Sequence, residues 1–208
     1  MLIKHRGIEP YIDPSAYIAP TATIIGNVTI GAKTKVMFGA IINSEGSKVT
    51  IGETTIISEN AVIRAASTGT KEHFISIGKN VFIGPHTTIL GAILEPCCYI
   101  ATSVTVLQGA KICSGSVVAV GALVHANAVI PQDFFVPPHT IAIGDPVQVY
   151  SPHEKEKIVT AITSMGFSKV AFNVDATGKM RAEVYREITE VRSDEYEEHL
   201  SDKIIQHN

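Results

Sequence analysis

Tryptophan is absent from this 208-residue sequence, and cysteine occurs only three times, as Cys97, Cys98 and Cys113. An odd number of cysteines without a CxxC pair offers neither a disulfide framework nor a thiolate zinc motif, and it fits a reducing compartment. No run of about eighteen apolar residues occurs, which argues against a membrane-spanning helix. Near the N-terminus Lys4, His5 and Arg6 are followed by no apolar stretch of the leader-peptide kind, so a cytoplasmic protein is expected. A basic excess is also missing. The formal charge is −3, which gives no electrostatic footprint for nucleic acid or an anionic membrane and leaves small molecules and proteins as partners.

What the chain does have is a period. Hydrophobic residues make up 45% of it, enough for a continuous core. Aliphatic residues recur every six positions at Ile12, Ile18, Ile24, Ile30, Val36 and Ile42, then at Ile51, Ile57 and Ile63, then at Ile77, Ile83 and Ile89. One residue is skipped before Leu94, Ile100, Val106, Ile112, Val118, Val124, Ile130 and Val136. Neither a helix nor a two-residue strand alternation has this period. Two positions before many of these aliphatics stands a small residue, such as Ala22, Thr34, Thr55, Ala61, Cys98, Ala110, Ser116 or Ala122. A narrow prism explains both choices: three hexads close one triangular coil, the aliphatics stack from coil to coil, and the small residues leave room for them. The spacing predicts a mainly β fold, a parallel β-helix of about seven coils at roughly 4.8 Å per coil. Gly31, Gly52, Gly78 and Gly84, each directly after a repeat aliphatic, are expected to relieve the coil corners.

The pattern changes near Tyr150. Residues 151–208 hold 19 charged side chains in 58 positions, against 18 in the first 150. This divides the chain into a β-helix domain over 1–150 and a C-terminal helical segment over 151–208, packed on the β-helix or on a neighbouring protomer. Ser151 and Pro152 read as the start of a first helix that Gly166 ends. A second helix is predicted from Met180 to Ile205.

Residues 8–150, with their hexads, two interruptions (Asn43–Thr50 and Ala65–Ser76) and single skip, resemble the γ-class carbonic anhydrase branch of the hexapeptide-repeat proteins. The resemblance implies a left-handed β-helix, a homotrimer, and zinc held between protomers by three histidines. In that family the first ligand ends an Asn-Ile-Gln-Asp-Gly-Ser-Val-Val-His motif. Here Ile56-Ile57-Ser58-Glu59-Asn60-Ala61-Val62-Ile63-Arg64 occupies it, so Arg64 stands at the first ligand position. The other two ligands lie in Ile-Gly-His and Leu-His-Gly-Cys. Ile83-Gly84-Pro85 and Ile89-Leu90-Gly91-Ala92 occupy these, putting Pro85 and Leu90 at the ligand positions. Proline and leucine offer no lone pair and arginine stays cationic, so the resemblance comes with no expected zinc. Asn43-Ser44-Glu45 replaces the family's Arg-Gly-Asp.

The expectation is therefore a γ-carbonic-anhydrase-like protein without the zinc ligands, acting as a binding or assembly module with no cofactor. Arg64 and Glu59 are candidates for an ion pair in the interprotomer cleft. The alternative is an acetyl-CoA-dependent acyltransferase, as many hexapeptide-repeat relatives are. Under it His86 or His73 is the candidate general base on the acceptor. The supporting segments, Gly115 to Val124 and Ile143-Gly144-Asp145-Pro146-Val147, also fit carbonic anhydrase relatives. A carbonic anhydrase with an altered metal site ranks last. His73 otherwise reads as a solvated loop residue and His86 as an exposed one, and His125 and His139 carry no assigned role.

Overall fold

The computed structural model describes residues 1–68 and 71–205. Its strands build three parallel sheets, the faces of one triangular prism. Each aliphatic column found in the sequence lines one face. On the first face Ile24, Ile42, Ile63, Ile89, Val106 and Val124 are successive register partners. On the second the column runs from Ile12 through Ile51, Ile77 and Leu94 to Ile130. The third runs from Ile18 through Ile57, Ile83 and Ile100 to Val136. From Ile24 onward these side chains are almost wholly inaccessible to solvent. The second and third faces have seven strands each, and the first has eight parallel strands with an antiparallel one added at either end. The fold is the mainly β solenoid predicted, consistent with the left-handed form, with one strand more than seven coils on its first face.

The small residues do more than leave room. Thr34, Thr55, Thr87 and Ser116 are fully buried, and each hydroxyl donates to a carbonyl of the next coil, at 2.8, 2.9, 2.9 and 2.6 Å. A buried hydroxyl without that acceptor would be costly. Cys98 occupies the same kind of position, its thiol 3.2 Å from the carbonyl of Cys113. Burial pushes its pKa up to about 11, so at pH 8 only about one molecule in a thousand carries the thiolate. Cys97 is exposed. Brief iodoacetamide treatment at pH 8, read by peptide mass spectrometry, should label Cys97 and leave Cys98 unmodified until the protein is unfolded.

The coil corners have a six-residue period of their own: Cys97, Ser103, Gly109, Gly115, Gly121, Asn127, Asp133 and His139 all have positive φ. Gly52 and Gly78, expected at the corners for their conformational freedom, are needed for a different reason. Their φ is ordinary, but a Cβ would lie 2.6 Å from the backbone of Gly78 and 2.5 Å from that of Pro96.

After the last coil, α1 spans Lys155–Met165 and ends on Gly166 in the left-handed conformation. It begins three residues later than Ser151-Pro152 suggested, because Glu154 rather than Ser151 occupies the cap. Then come α2, Phe167–Phe172, and α3, Arg181–Glu197. The predicted second helix was too long. After a 3-10 turn, Lys203–Ile205 is a strand lying antiparallel on Leu2–Lys4. The open edge of the first face supplies hydrogen-bond partners that outweigh local helical preference. No helix among the described residues is long and apolar enough to cross a membrane.

Candidate functional site

All three irregularities of the repeat fall at one corner of the prism, at the ends of successive strands of the first face. The loop from Ser44 follows Ile41–Asn43, and the skip at Gly91 follows Thr88–Leu90. Between them, after Val62–Arg64, comes the antiparallel hairpin Ala66–Thr68 with Lys71–His73. Residues 69 and 70, at its tip, lie outside the described residues. Register places Asn43 beside Arg64 and Arg64 beside Leu90. The first and third family ligand positions are thus adjacent rungs of one ladder. The skipped residue also has a cause: a Cβ on Gly91 would lie 2.4 Å from the Cβ of His73, so the corner is shortened where the hairpin folds across it.

Arg64 is held on several sides. Its Nε donates to Glu45 Oε1 at 3.0 Å, its Nη2 lies 3.9 Å from Glu195 Oε2, and its guanidinium sits 5.0 Å above the Tyr196 ring. Glu45 is almost fully buried. Asn43 Nδ2 donates to the same Oε1 at 2.7 Å, while the Glu45 amide donates to Asn43 Oδ1 at 2.8 Å. Glu195, on α3, accepts from Arg192 and from the Ser67 amide. A buried carboxylate is tolerable only with such partners, so α3 and the corner of the β-helix neutralise each other's charge.

The second oxygen of Glu45 faces histidine. His199 Nε2 lies 3.2 Å from Glu45 Oε2, and its Nδ1 lies 2.7 Å from Asp202 Oδ2. The other oxygen of Asp202 accepts from His5 Nδ1 at 2.6 Å, and the two imidazoles stack with centroids 4.3 Å apart. Burial opposes charge on His199, but the Asp202 hydrogen bond and the nearby carboxylates outweigh it and raise its pKa above the ordinary value. Burial likewise tends to raise the pKa of Asp202, and the two histidines overcome this and hold it below the usual range. Sequence reasoning missed His5, His199 and Asp202. They converge only because the terminal strand crosses the first one, and nothing local announces that.

The residues singled out from the sequence are dispersed. Glu59 is half-buried at a different corner and forms no ion pair among the described residues. Within the protomer the near partner of Arg64 is Glu45, two residues past Asn43, its register neighbour. His73 is not a solvated loop residue: it is buried, and its Nε2 donates to the Val170 carbonyl at 2.8 Å, fastening α2. His86 is exposed at a left-handed corner, with φ 58°. Pro85 stands beside it, at the edge of the first face opposite Arg64 and Leu90. His125 is buried edge-on to Phe167, and that burial lowers its pKa. His139 occupies an exposed corner.

No protein-family model matches the chain. It is 33% identical over 139 residues to gamma carbonic anhydrase 1, mitochondrial, of Arabidopsis thaliana, a match covering 63% of this chain and 50% of the plant protein. It is 35% identical over 140 residues to the carboxysome assembly protein CcmM of Synechococcus elongatus, covering 64% of this chain and 26% of CcmM. The chain spans about half the length of the curated relatives first matched. A crystal structure of a hexapeptide transferase family protein from Anaplasma phagocytophilum superposes with a TM-score of 0.56 at 24% identity. That superposition covers 93% of this chain and 97% of the other, and it bears on the fold alone. The aliphatic columns, the stacked irregularities and these likenesses together mark the chain as γ-carbonic-anhydrase-like in sequence, on the β-solenoid fold of the hexapeptide-repeat proteins.

Proposed function

We propose that this protein is a binding or assembly module, a homotrimer in which a fixed guanidinium takes the place of the family's catalytic zinc. The observation that carries the reading is Arg64 in ladder register with Leu90, its charge committed to Glu45 and Glu195. With Pro85 at the remaining position, this set offers no imidazole, thiolate or carboxylate for the metal, so the family's zinc chemistry has no ligands there.

The outward column of the first face supports threefold closure. Thr23, Ile41, Val62, Thr88, Thr105 and Leu123 stack in register without a charge among them. Three prisms closed on this face would bring Pro85 and His86 of one protomer toward Arg64 and Leu90 of the next, and leave Glu59 for contacts in the same cleft. The third face stays outside such a trimer and carries exposed Tyr17, Tyr99 and Phe135, with Phe82 stacked on Tyr99 at 5.2 Å. Exposed aromatics of this kind suit a protein partner. The three free thiols accord with a reducing, cytoplasmic setting. Under the acyltransferase alternative the base would fall to His86, since His73 spends its Nε2 on α2.

Sedimentation together with a carbon dioxide hydration assay on zinc-supplemented protein tests this. We expect a trimer that Val62→Glu converts to monomer, no hydration above the uncatalysed rate, and no thermal shift with acetyl-CoA. Hydration that a chelator abolishes would overturn the reading, and a shift with acetyl-CoA would replace it with the transferase.

A further inference from the structure

We propose that His5, Glu45 and His199 form a divalent metal site, separate from the family's three-histidine position, that latches the C-terminal segment to the first coils of the β-helix. One donor atom from each residue lies within 4.8 Å of the others. The site is contained in one chain and joins the end of the first strand, the first repeat interruption and the turn after α3.

The orientation of the rings is the stronger argument. Both histidines direct Nδ1 at the two oxygens of one carboxylate, Asp202, at 2.6 and 2.7 Å. A carboxylate holding Nδ1–H fixes the tautomer whose lone pair is on Nε2, the arrangement that supports histidine ligands of bound metals. His5 Nε2 is buried and has no hydrogen-bond partner among the described residues. A buried ring nitrogen left unpaired requires a reason, and coordination supplies one. Glu45 is equally prepared: Asn43 and Arg64 both bond Oε1, leaving Oε2 toward His199 at 3.2 Å.

Ligand atoms about 2.0–2.1 Å from a tetrahedral ion lie roughly 3.3 Å from one another. The Glu45–His199 pair already has that separation, and the rest of the site needs side-chain movements on the order of 1 Å. Two imidazoles and a carboxylate suit zinc, cobalt or another first-row dication rather than calcium or magnesium. With both imidazoles neutral, as coordination requires, Glu45 and Asp202 against Arg64 leave one net negative charge to attract it. The His199 side chain, 29% exposed, gives the ion a way in.

The test uses the full chain, stripped with a chelator and titrated with Co²⁺ or Zn²⁺ alone. We expect one ion per chain, a tetrahedral cobalt absorption spectrum, and a melting temperature raised by about 5–10 °C at a hundredfold excess over Kd. His199→Gln removes a part-exposed ligand and should weaken binding at least tenfold. Asp202→Asn should weaken it by about 10–100-fold through loss of orientation. Absence of binding would overturn the proposal, and so would undiminished affinity and stoichiometry in His199→Gln. Neither outcome bears on Arg64, whose role is read separately from hydration and sedimentation.

Discussion

Arg64→Met should lower stability by about 3 kcal/mol, the cost typical of breaking a buried ion pair by removing one partner. For a chain of this size that is a fall in melting temperature of about 6–12 °C. The expectation follows from burial: the Glu45 side chain is 2% exposed and that of Glu195 4%, so water cannot take over the lost contact. Asn43 and His199 would still bond Glu45, which keeps the loss near the lower end of the range for such pairs. Arg64→Lys keeps the charge but not the planar fork, and should lose less. Adding Glu45→Gln to Arg64→Met should recover part of the loss, as coupled neighbours do in a double-mutant cycle. The measurement is thermal or urea unfolding at one fixed protein concentration with chelator present, since assembly and metal both shift the transition. A melting temperature within a degree of the parent would mean that the Arg64 network contributes nothing to holding α3.

Ile83→Ala should be at least as damaging, about 4 kcal/mol or roughly 8–16 °C. Ile83 is fully buried between Ile57 and Ile100, so the removed atoms leave a cavity that a closed coil cannot shrink around. Ile18 has the same chemistry but only Val36 as a register partner, and it is partly exposed. Ile18→Ala should therefore cost less than half as much. A solenoid is held coil to coil, so a central lesion also weakens the coupling between its two ends. Ile83→Ala should broaden the unfolding transition, whereas Ile18→Ala should only shift it. Equal losses for the two variants would contradict the stacking described for the third face.

The aliphatic columns that make Ile83 so costly to truncate are legible in the sequence because a six-residue period leaves few architectures open. Each Ile or Val carries the same instruction, and the register only repeats it. The corner residues obey the same period, but glycine, asparagine, aspartate, histidine, serine and cysteine all serve there. Left-handed backbone is a tolerance rather than a residue type, which hides it in the sequence.

The corner site is readable only in part. Arg64 and Leu90 can be placed because they belong to the repeat. Glu45 belongs to an interruption, and its link to Arg64 depends on how that loop turns back. His5 and Asp202 are 197 residues apart and meet through the pairing of the terminal strands. Lys203–Ile205 reads as helical because local preference cannot register an available sheet edge elsewhere in the fold. His73 reads as solvated because its cover, α2, comes from almost a hundred residues later.

That terminal pairing has another consequence. A column of parallel strands ends in bare amide and carbonyl groups, which invite a second molecule to continue the ladder. Here Lys203–Ile205 closes one end of the ten-stranded sheet, and Gln148–Tyr150 closes the other, each running against the grain of its neighbour. An incoming prism would therefore find the wrong strand direction on that side, so the fold discourages end-to-end fibre growth with two short segments. Cutting before Lys203 would expose Leu2–Lys4 and make concentration-dependent filaments the characteristic fault of the shortened protein.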